Sequence, residues 1–322
     1  MRAFVAGATG FIGGRVAAQL RERGDEVVAL IRSPDKASAV RDAGAELVAG
    51  DLSDPDAIRR GVEGADAVFH VAAMYKVGIP KSERPAMWEA NVIGTERVLD
   101  AAIEAGARRI VHVSTINAFG NTKGAVVDET YHRPEDDPFL TYYDQTKYRA
   151  HRAAEERIAN GAPTLIAQPG GVYGPGDPSE LANLIDQVAT GRLKFKMFPE
   201  TGFNFLHVDD AARGTLLIHD NGRVGQAYVL GGEVVRMGGV MDRIAAVAGR
   251  KPPRVTMPKV LMKSAIPFGR VVGKIMRMPP NLRELIRAAD GVTYWATDAK
   301  ARKELGYTSR DLAVGLRETV RA

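Results

Sequence analysis

The chain of 322 residues is predicted to adopt an α/β fold, a doubly wound parallel sheet with a smaller C-terminal region. Short apolar runs alternate with stretches whose apolar residues recur at helical spacing, which indicates parallel strands joined by right-handed crossovers. The apolar runs are continuous, as is typical of strands in a sheet that is covered on both faces. A glycine-rich turn follows the first run. In such a sheet, ligands bind at the carboxyl ends of the strands.

The predicted strands are the short apolar runs at residues 4–6, 27–31, 46–49, 67–71, 110–113, 164–167, 203–208 and 227–230. Between the first two runs, Val16 and Leu20 have the spacing of one helix face, and Val98 and Leu99 belong to a similar stretch later in the chain. Residues 169–178 are so rich in glycine and proline that irregular structure is predicted there.

Composition excludes several classes of protein. Cysteine is absent, so there is no disulfide framework or thiolate metal site, and no metal site is predicted. The formal net charge is +5, but the basic residues are spread along the chain, which indicates a mildly basic surface and not a nucleic-acid footprint. The chain opens on a strand-like run and holds no apolar run of membrane-spanning length, so neither a secretory signal nor a spanning helix is predicted and a cytoplasmic location is expected.

The glycine-rich turn lies between the first predicted strand and the first predicted helix. Glycines at such a turn let the backbone approach a pyrophosphate, and the free N–H groups of the helix start favour an anion. The spacing of its glycines departs from the more common fingerprint, but the strand before it and the helix after it are the expected context. We therefore predict a dinucleotide site that includes Gly7, Thr9, Gly10, Phe11, Ile12 and Gly13.

The residue at the end of the second strand selects between the two nicotinamide dinucleotides. An acidic residue there would bond the ribose hydroxyls of NAD(H), whereas an arginine suits the 2′-phosphate of NADP(H). This chain has Arg32, and Ser33 and Lys36 are expected to assist it. NADP(H) is therefore the predicted cofactor, while the nearby Asp35 keeps NAD(H) as the alternative.

Two further strand ends are predicted to contact the cofactor. Asp51 and Leu52 follow the third strand and are expected beside the adenine. Val71, Ala72 and Ala73 end the fourth strand, where small residues allow the cofactor to lie close. These contacts make residues 1–168 the predicted dinucleotide-binding region, with 203–231 returning to it, and leave 169–202 and 232–322 for substrate binding.

The segment 255–278 is apolar with interspersed lysine and arginine. Pro258 and Pro267 interrupt any single long helix, so we predict a helical pair packed against its own core. A basic amphipathic helix that touches lipid is the alternative.

Tyr143 and Lys147 are four residues apart in a helix predicted at 141–160, and therefore share a face of it. An ammonium beside a phenol favours the phenolate, so Lys147 is expected to lower the pKa of Tyr143 and prepare it for proton transfer. Lys147 is also placed to hold the nicotinamide ribose. Upstream, Ser114 and Thr115 end the fifth strand, and the hydroxyl of either one could bond a substrate oxygen.

Taken together, these residues resemble the extended short-chain dehydrogenase/reductase family over most of the chain. The motifs that carry the resemblance are GATGFIG from Gly7, HVAA from His70, NVIGT from Asn91, VSTINAFG from Val113, YDQTK from Tyr143, VYGPGD from Val172 and FLHVDDAA from Phe205. The run DAKARKELGY from Asp298 is similar to the branch that contains dihydroflavonol-4-reductase-like and 3β-hydroxysteroid-dehydrogenase-like proteins.

The resemblance implies which residues act. It selects Thr115 over Ser114 as the catalytic hydroxyl, assigns acid–base chemistry to Tyr143 and Lys147, and places Pro169, Gly170 and Val172 beside the nicotinamide. Family analogy also suggests a homodimer. The expected activity is NADP(H)-dependent reduction of a ketone or aldehyde, or oxidation of the matching alcohol, in a small-molecule substrate.

Two alternatives remain. Family members that act on sugar nucleotides carry an arginine shortly before the His-Val-Asp-Asp stretch, but residues 203–206 here are Phe-Asn-Phe-Leu, which favours an uncharged, largely apolar substrate. A sugar-nucleotide epimerase or dehydratase is the first alternative, although Ile116 and Asn117 supply no acid beside Thr115. The second is a nucleotide-sensing protein without catalysis, which would not require the Tyr143–Lys147 pair.

Overall fold

The computed structural model describes residues 1–258 and 281–321, together with residues 260, 264 and 266. Its main sheet has seven strands, all parallel, in the order β10-β6-β5-β4-β1-β2-β3. These strands are β1 Arg2–Ala6, β2 Glu26–Ile31, β3 Glu46–Ala49, β4 Ala67–His70, β5 Arg109–Val113, β6 Thr164–Pro169 and β10 Ala227–Leu230. The predicted doubly wound α/β fold is confirmed.

Helices cover both faces of this sheet. Within β1, Ala3 and Val5 belong to one apolar core, while Phe4 and Ala6 belong to the core on the opposite face. The described α-helices are α1 Phe11–Glu22, α2 Ser38–Asp42, α3 Pro55–Val62, α4 Arg84–Trp88, α5 Gly94–Glu104, α6 Tyr142–Ala159, α7 Glu180–Ala189, α8 Val208–Asn221, α9 Met237–Val247, α10 Leu282–Ala289, α11 Ala299–Leu305 and α12 Leu312–Arg321. A π-helical turn, Glu89–Ile93, joins α4 to α5.

A second, smaller sheet lies beside the main one. It contains β7 Gly171–Tyr173, β9 Gly202–His207, β11 Glu233–Arg236 and β13 Thr293–Tyr294. Its order is β11-β9-β13, with β7 also pairing with β9. Two short strands, β8 Phe195–Lys196 and β12 Val255–Thr256, form a separate parallel pair.

Two predictions about these segments need correction. Residues 169–178 are not wholly irregular, because β6 continues to Pro169 and β7 forms by pairing with β9. Within 203–231, β10 joins the main sheet and α8 packs on it, but β9 belongs to the smaller sheet. An apolar run predicts a strand without naming its partner, so the sequence alone did not show that β9 pairs in the smaller sheet. The division into a cofactor-binding and a substrate-binding region remains a prediction.

Most of the segment 255–278 lies outside the described residues. Its two interpretations, a helical pair and a lipid-contacting helix, therefore both stay predictions. In the part of the chain that the structure does describe, no helix is both long enough and apolar enough to cross a membrane.

Candidate functional site

The glycine-rich turn between β1 and α1 is closely packed. Gly7 has φ +97°, and a Cβ atom placed on it would lie 2.7 Å from the backbone nitrogen of Ala72. A Cβ atom on Gly13 would lie 2.1 Å from the carbonyl oxygen of Gly7. Any side chain at these two positions would displace backbone, so the turn needs glycine where the sequence has it.

The start of α1 is free to receive an anion. Gly10 is the N-cap residue and provides no side-chain hydrogen bond to the first turn. Thr9 and Gly10 are exposed, and Phe11 and Ile12 are half-buried. The backbone N–H groups of the first turn and the positive end of the helix dipole therefore face outward, which is the arrangement that binds phosphate groups.

The predicted cofactor contacts at the other strand ends lie along the same edge of the sheet. Arg32 follows β2 and is exposed. Hydrogen bonds from Ser53 lower the pKa of the Asp51 carboxyl group, and the positive charge of Arg32 lowers it further, so Arg32 and Asp51 are neighbours. Ser33 is half-buried, and the side chain of Lys36 lies outside what the structure describes.

The remaining predicted contacts line this edge as well. The carbonyl oxygen of Leu52 accepts a hydrogen bond of 3.1 Å from Arg97. The amides of Val71 and Ala72 both donate to the carbonyl oxygen of Ala6, so this segment runs against the glycine-rich turn, and Ala73 after it is exposed.

Helix α6 carries Tyr143 and Lys147, and both are buried. The helix begins where Thr141, its N-cap residue, accepts a hydrogen bond of 2.9 Å from the Asp144 amide. The Lys147 Nζ donates to the carbonyl oxygen of Val113 at 2.9 Å, which places the ammonium group at the end of β5. Burial lowers the pKa of Lys147 to about 8.

The expected lowering of the Tyr143 pKa is not observed. Burial raises the pKa of the phenol, and Tyr75 and Asp144 add to the increase. The physical reason is that the phenol loses water on burial, which disfavours its charged form. As the protein stands, Tyr143 is held in its protonated form.

The two candidate hydroxyls at the end of β5 have different partners. The Ser114 Oγ is 2.9 Å from the Nδ1 of His151 on α6. The Thr115 Oγ1 accepts a hydrogen bond of 3.2 Å from the Asn117 amide and is 3.5 Å from the carbonyl oxygen of Pro169. Ser114 is thus engaged with α6, while Thr115 lies against the end of β6.

The segment that follows β6 is packed as closely as the glycine-rich turn. A Cβ atom on Gly170 would lie 2.4 Å from the carbonyl oxygen of Asn204 in β9, so only glycine fits there without a shift. Val172 is half-buried in β7, next to the main core. Pro169, Gly170 and Val172 therefore lie where the two sheets meet, close to Thr115.

Several residues near Tyr143 were missed in the sequence. Asp144 is 3% exposed and accepts a hydrogen bond of 2.9 Å from the Asn117 Nδ2. The Tyr294 hydroxyl lies 3.4 Å from the other carboxylate oxygen of Asp144. The Tyr75 ring packs edge-on against Tyr143, with 4.8 Å between centroids. Asp144 lies within the Tyr-x-x-x-Lys motif and could have been considered, but no sequence signal points to Tyr75 or Tyr294.

Tyr75 has two different environments. The residue is 56% exposed, yet burial around its hydroxyl raises its pKa to about 12. Both observations hold if the ring is open to solvent on one side while the hydroxyl end is enclosed. Tyr75 therefore covers Tyr143 from the loop after β4.

The wall opposite α6 is aromatic. Phe203 of β9 stacks on Tyr294 of β13 with 5.1 Å between ring centroids and an interplanar angle of 12°. The Asn204 side chain is satisfied by the backbone of Ala296, so it offers no free polar group. These stacked rings form an apolar wall, and an apolar wall has no group to pair with the charges of a diphosphate.

His70 has a structural position. It is fully buried at the end of β4, with its Nε2 2.8 Å from the Thr95 hydroxyl. Burial lowers its pKa to about 3, so the ring is neutral. Among the described residues, no group of three or more histidine and acidic side chains could hold a metal ion.

The fold and the site define a nucleotide-dependent oxidoreductase, and comparison with known proteins identifies its family. Residues 3–231 match the model of the NAD dependent epimerase/dehydratase family, so the chain belongs to that family. Reductases and 3β-hydroxysteroid dehydrogenases of the extended short-chain dehydrogenase/reductase class are among its relatives, which confirms the expected branch and an NAD(P)-dependent oxidoreductase.

Individual matches cover nearly the whole chain. A 4-hydroxy-2-methyl-3-oxo-4-farnesyl-3,4-dihydroquinoline-1-oxide ketoreductase from Stigmatella aurantiaca is 30% identical over 96% of this chain and 92% of that protein. The crystal structure of gox2253 is similar with a TM-score of 0.85 at 33% identity, covering 99% of this chain and 96% of that chain. MoeE5 in complex with UDP-glucose and NAD is similar with a TM-score of 0.76 at 25% identity, covering 100% of this chain and 98% of that one.

Proposed function

We propose that this protein is an NADP(H)-dependent reductase of a ketone or aldehyde in an uncharged, largely apolar small molecule, or oxidises the matching alcohol. The proposal is carried by Lys147, which shares a face of α6 with Tyr143 and donates to Val113 at the end of β5, where Thr115 follows and lies 3.5 Å from the carbonyl oxygen of Pro169. The apolar stack of Phe203 on Tyr294 supports an uncharged substrate. A cytoplasmic location and a homodimer belong to the same proposal.

The residues present fit a dinucleotide. The turn at Gly7 and Gly13 has no room for a Cβ atom, and the uncapped start of α1 suits a pyrophosphate. Arg32 is exposed beside Asp51, where its guanidinium can make charge-assisted hydrogen bonds to a 2′-phosphate. Lys147 would hold the nicotinamide ribose. When bound, the cofactor supplies or accepts the hydride.

The protein's own groups perform the proton chemistry. Tyr143 donates its phenolic proton to the carbonyl oxygen of the substrate, and its raised pKa keeps that proton available at neutral pH. The Thr115 hydroxyl holds the same oxygen and stabilises the charge that develops on it. Lys147 would support the phenolate that forms, because the two residues lie one helical turn apart on the same face of α6.

A sugar-nucleotide epimerase is the second candidate. The description of the family and the likeness to MoeE5 favour it. The Phe203–Tyr294 wall opposes it, because that wall offers no group to pair with a diphosphate. Purification with tightly bound oxidised cofactor, together with a thermal shift caused by nucleotide sugars, would support the epimerase and contradict the reductase.

The first test measures NADPH and NADH oxidation against a panel of aromatic aldehydes, ketones, α-diketones and steroid ketones. The reductase proposal expects turnover that is faster with NADPH. Tyr143→Phe should then reduce kcat/KM by about 10²- to 10⁴-fold, the usual contribution of a positioned acid. Tyr142→Phe is the matched control, because that ring stacks with Arg84 outside the proton path. Near-normal turnover of Tyr143→Phe would overturn the proposed mechanism.

A further inference from the structure

Asp144 is a buried carboxylate that the mechanism above does not use. Its side chain accepts hydrogen bonds from Asn117 and Tyr294, which come from the turn after β5 and from β13. Its amide donates to Thr141, the N-cap residue of α6. One side chain thus joins three separate segments immediately beside Tyr143.

The contact with Asn117 continues to the catalytic hydroxyl. The Asn117 side chain donates to Asp144 at 2.9 Å, and its backbone amide donates to the Thr115 Oγ1 at 3.2 Å. The Thr115 hydroxyl and the start of α6 are therefore connected through a single intervening residue. A substrate oxygen must reach Thr115 and Tyr143 together, so the distance between β5 and α6 determines whether both groups can act.

Asp144 also acts on Tyr143 through its charge. Burial raises the pKa of Asp144 to about 6, opposed by the hydrogen bonds from Asn117, Thr141 and Tyr294. The carboxyl group is therefore ionised at neutral pH. Burial raises the pKa of the Tyr143 phenol most, Tyr75 comes second, and the negative charge of Asp144 raises it further.

Other ionisable groups face the pair from the surrounding elements. Tyr75 covers Tyr143 from the loop after β4, and Asp177 and Glu180 act on Tyr75 from the segment that leads into α7. Tyr294 approaches from β13. Lys147 lies on α6 itself, with its ammonium bonded to Val113.

We propose that Asp144 is a positioning residue of the reductase: its carboxylate joins Thr115 to the start of α6 through Asn117 and places a negative charge next to Tyr143 in the chain. This inference rests on the proposed function. Because reduction uses the protonated phenol and alcohol oxidation uses the phenolate, this charge helps to set the pH range in which each direction runs.

The test records kcat/KM against pH for NADPH-dependent reduction and for oxidation of the matching alcohol. Asp144→Asn removes the charge and keeps the side-chain shape. The alkaline fall of reduction and the rise of oxidation should both move about one pH unit lower, equivalent to a tenfold gain in phenolate at a given pH. Asn117→Ala breaks the link and removes a donor from the carboxylate, which should raise the pKa of Asp144 but leave it charged at alkaline pH. This variant should therefore lower the rate about three- to tenfold, the value of one hydrogen bond, without moving either alkaline limb.

A third variant covers the case in which Asp144→Asn does not fold. Tyr294→Phe removes one donor from the carboxylate, which should raise the pKa of Asp144. The change in kcat/KM that the wild type should show near pH 6, where Asp144 gains or loses its charge, should then move to higher pH. If the pH profiles of kcat/KM in Asp144→Asn match those of the wild type, this inference is overturned. If only Tyr294→Phe folds, unchanged pH profiles in that variant would overturn it. Loss of activity in Tyr143→Phe would still support the proposed function, so the two failures are distinguishable.

Discussion

The proposed cofactor turn and the proposed catalytic edge are built in opposite ways. The turn at residues 7–13 is one continuous segment, and its backbone approaches so closely that Gly7 and Gly13 tolerate no side chain. The proposed catalytic edge collects Thr115, Tyr143 and Tyr294 from three distant segments, and hydrogen bonds through Asn117 and Asp144 connect these segments. Phosphate binding thus needs a local backbone shape, whereas proton transfer needs side chains that only the folded chain brings together.

The electrostatics of the two regions also differ. The turn acts through uncapped N–H groups, whose partial charge does not depend on neighbouring side chains. The ionisation of Tyr143, Asp144 and Lys147 is set by burial, which raises the pKa of the acids and lowers that of the lysine. Substitutions in the turn should therefore affect binding and folding, and substitutions at the catalytic edge should affect rates and their pH dependence.

The largest effect is expected from Gly13→Ala. The added methyl group would lie 2.1 Å from the carbonyl oxygen of Gly7, and backbone cannot move aside cheaply. We expect a loss of about 1–3 kcal/mol in the free energy of unfolding, together with loss of dinucleotide binding. Denaturant unfolding and a cofactor titration would measure the two.

Gly14→Ala is the matched control on the same helix, since its nearest contact is 3.3 Å away and alanine favours a helix. Equal effects of the two alanines would show that the turn is not specifically constrained.

A smaller effect is expected from Arg32→Asp. Reversing the charge beside Asp51 removes the donor for a 2′-phosphate and repels it, so the KM for NADPH should rise about ten- to a hundredfold while that for NADH changes little. Arg41→Asp, an exposed arginine on the neighbouring α2, is the control. An unchanged KM for NADPH would show that Arg32 does not select the cofactor.

The smallest effect is expected from Phe203→Leu. Leucine keeps the wall apolar but loses the stack on Tyr294, a contribution of about 0.5–1.5 kcal/mol. The KM for bulky aromatic ketones should rise about two- to tenfold, with kcat for small aldehydes unchanged. Phe195→Leu, an exposed phenylalanine on β8, should change neither. A similar KM increase for every substrate would argue against an aromatic subsite.

Sequence patterns predicted the positions of the strands more reliably than they predicted which strands pair with each other. The continuous apolar runs marked the strands of the main sheet within a few residues, because most of these strands are buried on both faces and need apolar residues throughout. The run at β9 was equally clear, yet it pairs with β7, β11 and β13 in the smaller sheet. Likewise β7 forms from a glycine-rich segment, since its pairing with β9 outweighs weak local preference.

By itself, the sequence determined the doubly wound fold, the glycine turn and the helix that carries Tyr143 and Lys147, because periodicity, glycine geometry and four-residue spacing are properties of short segments. Only the tertiary structure decided that Asp144 contacts Asn117 and Tyr294, and that burial keeps the Tyr143 phenol protonated. A pKa depends on the water and charge that surround a group, and those come from segments far apart in the chain.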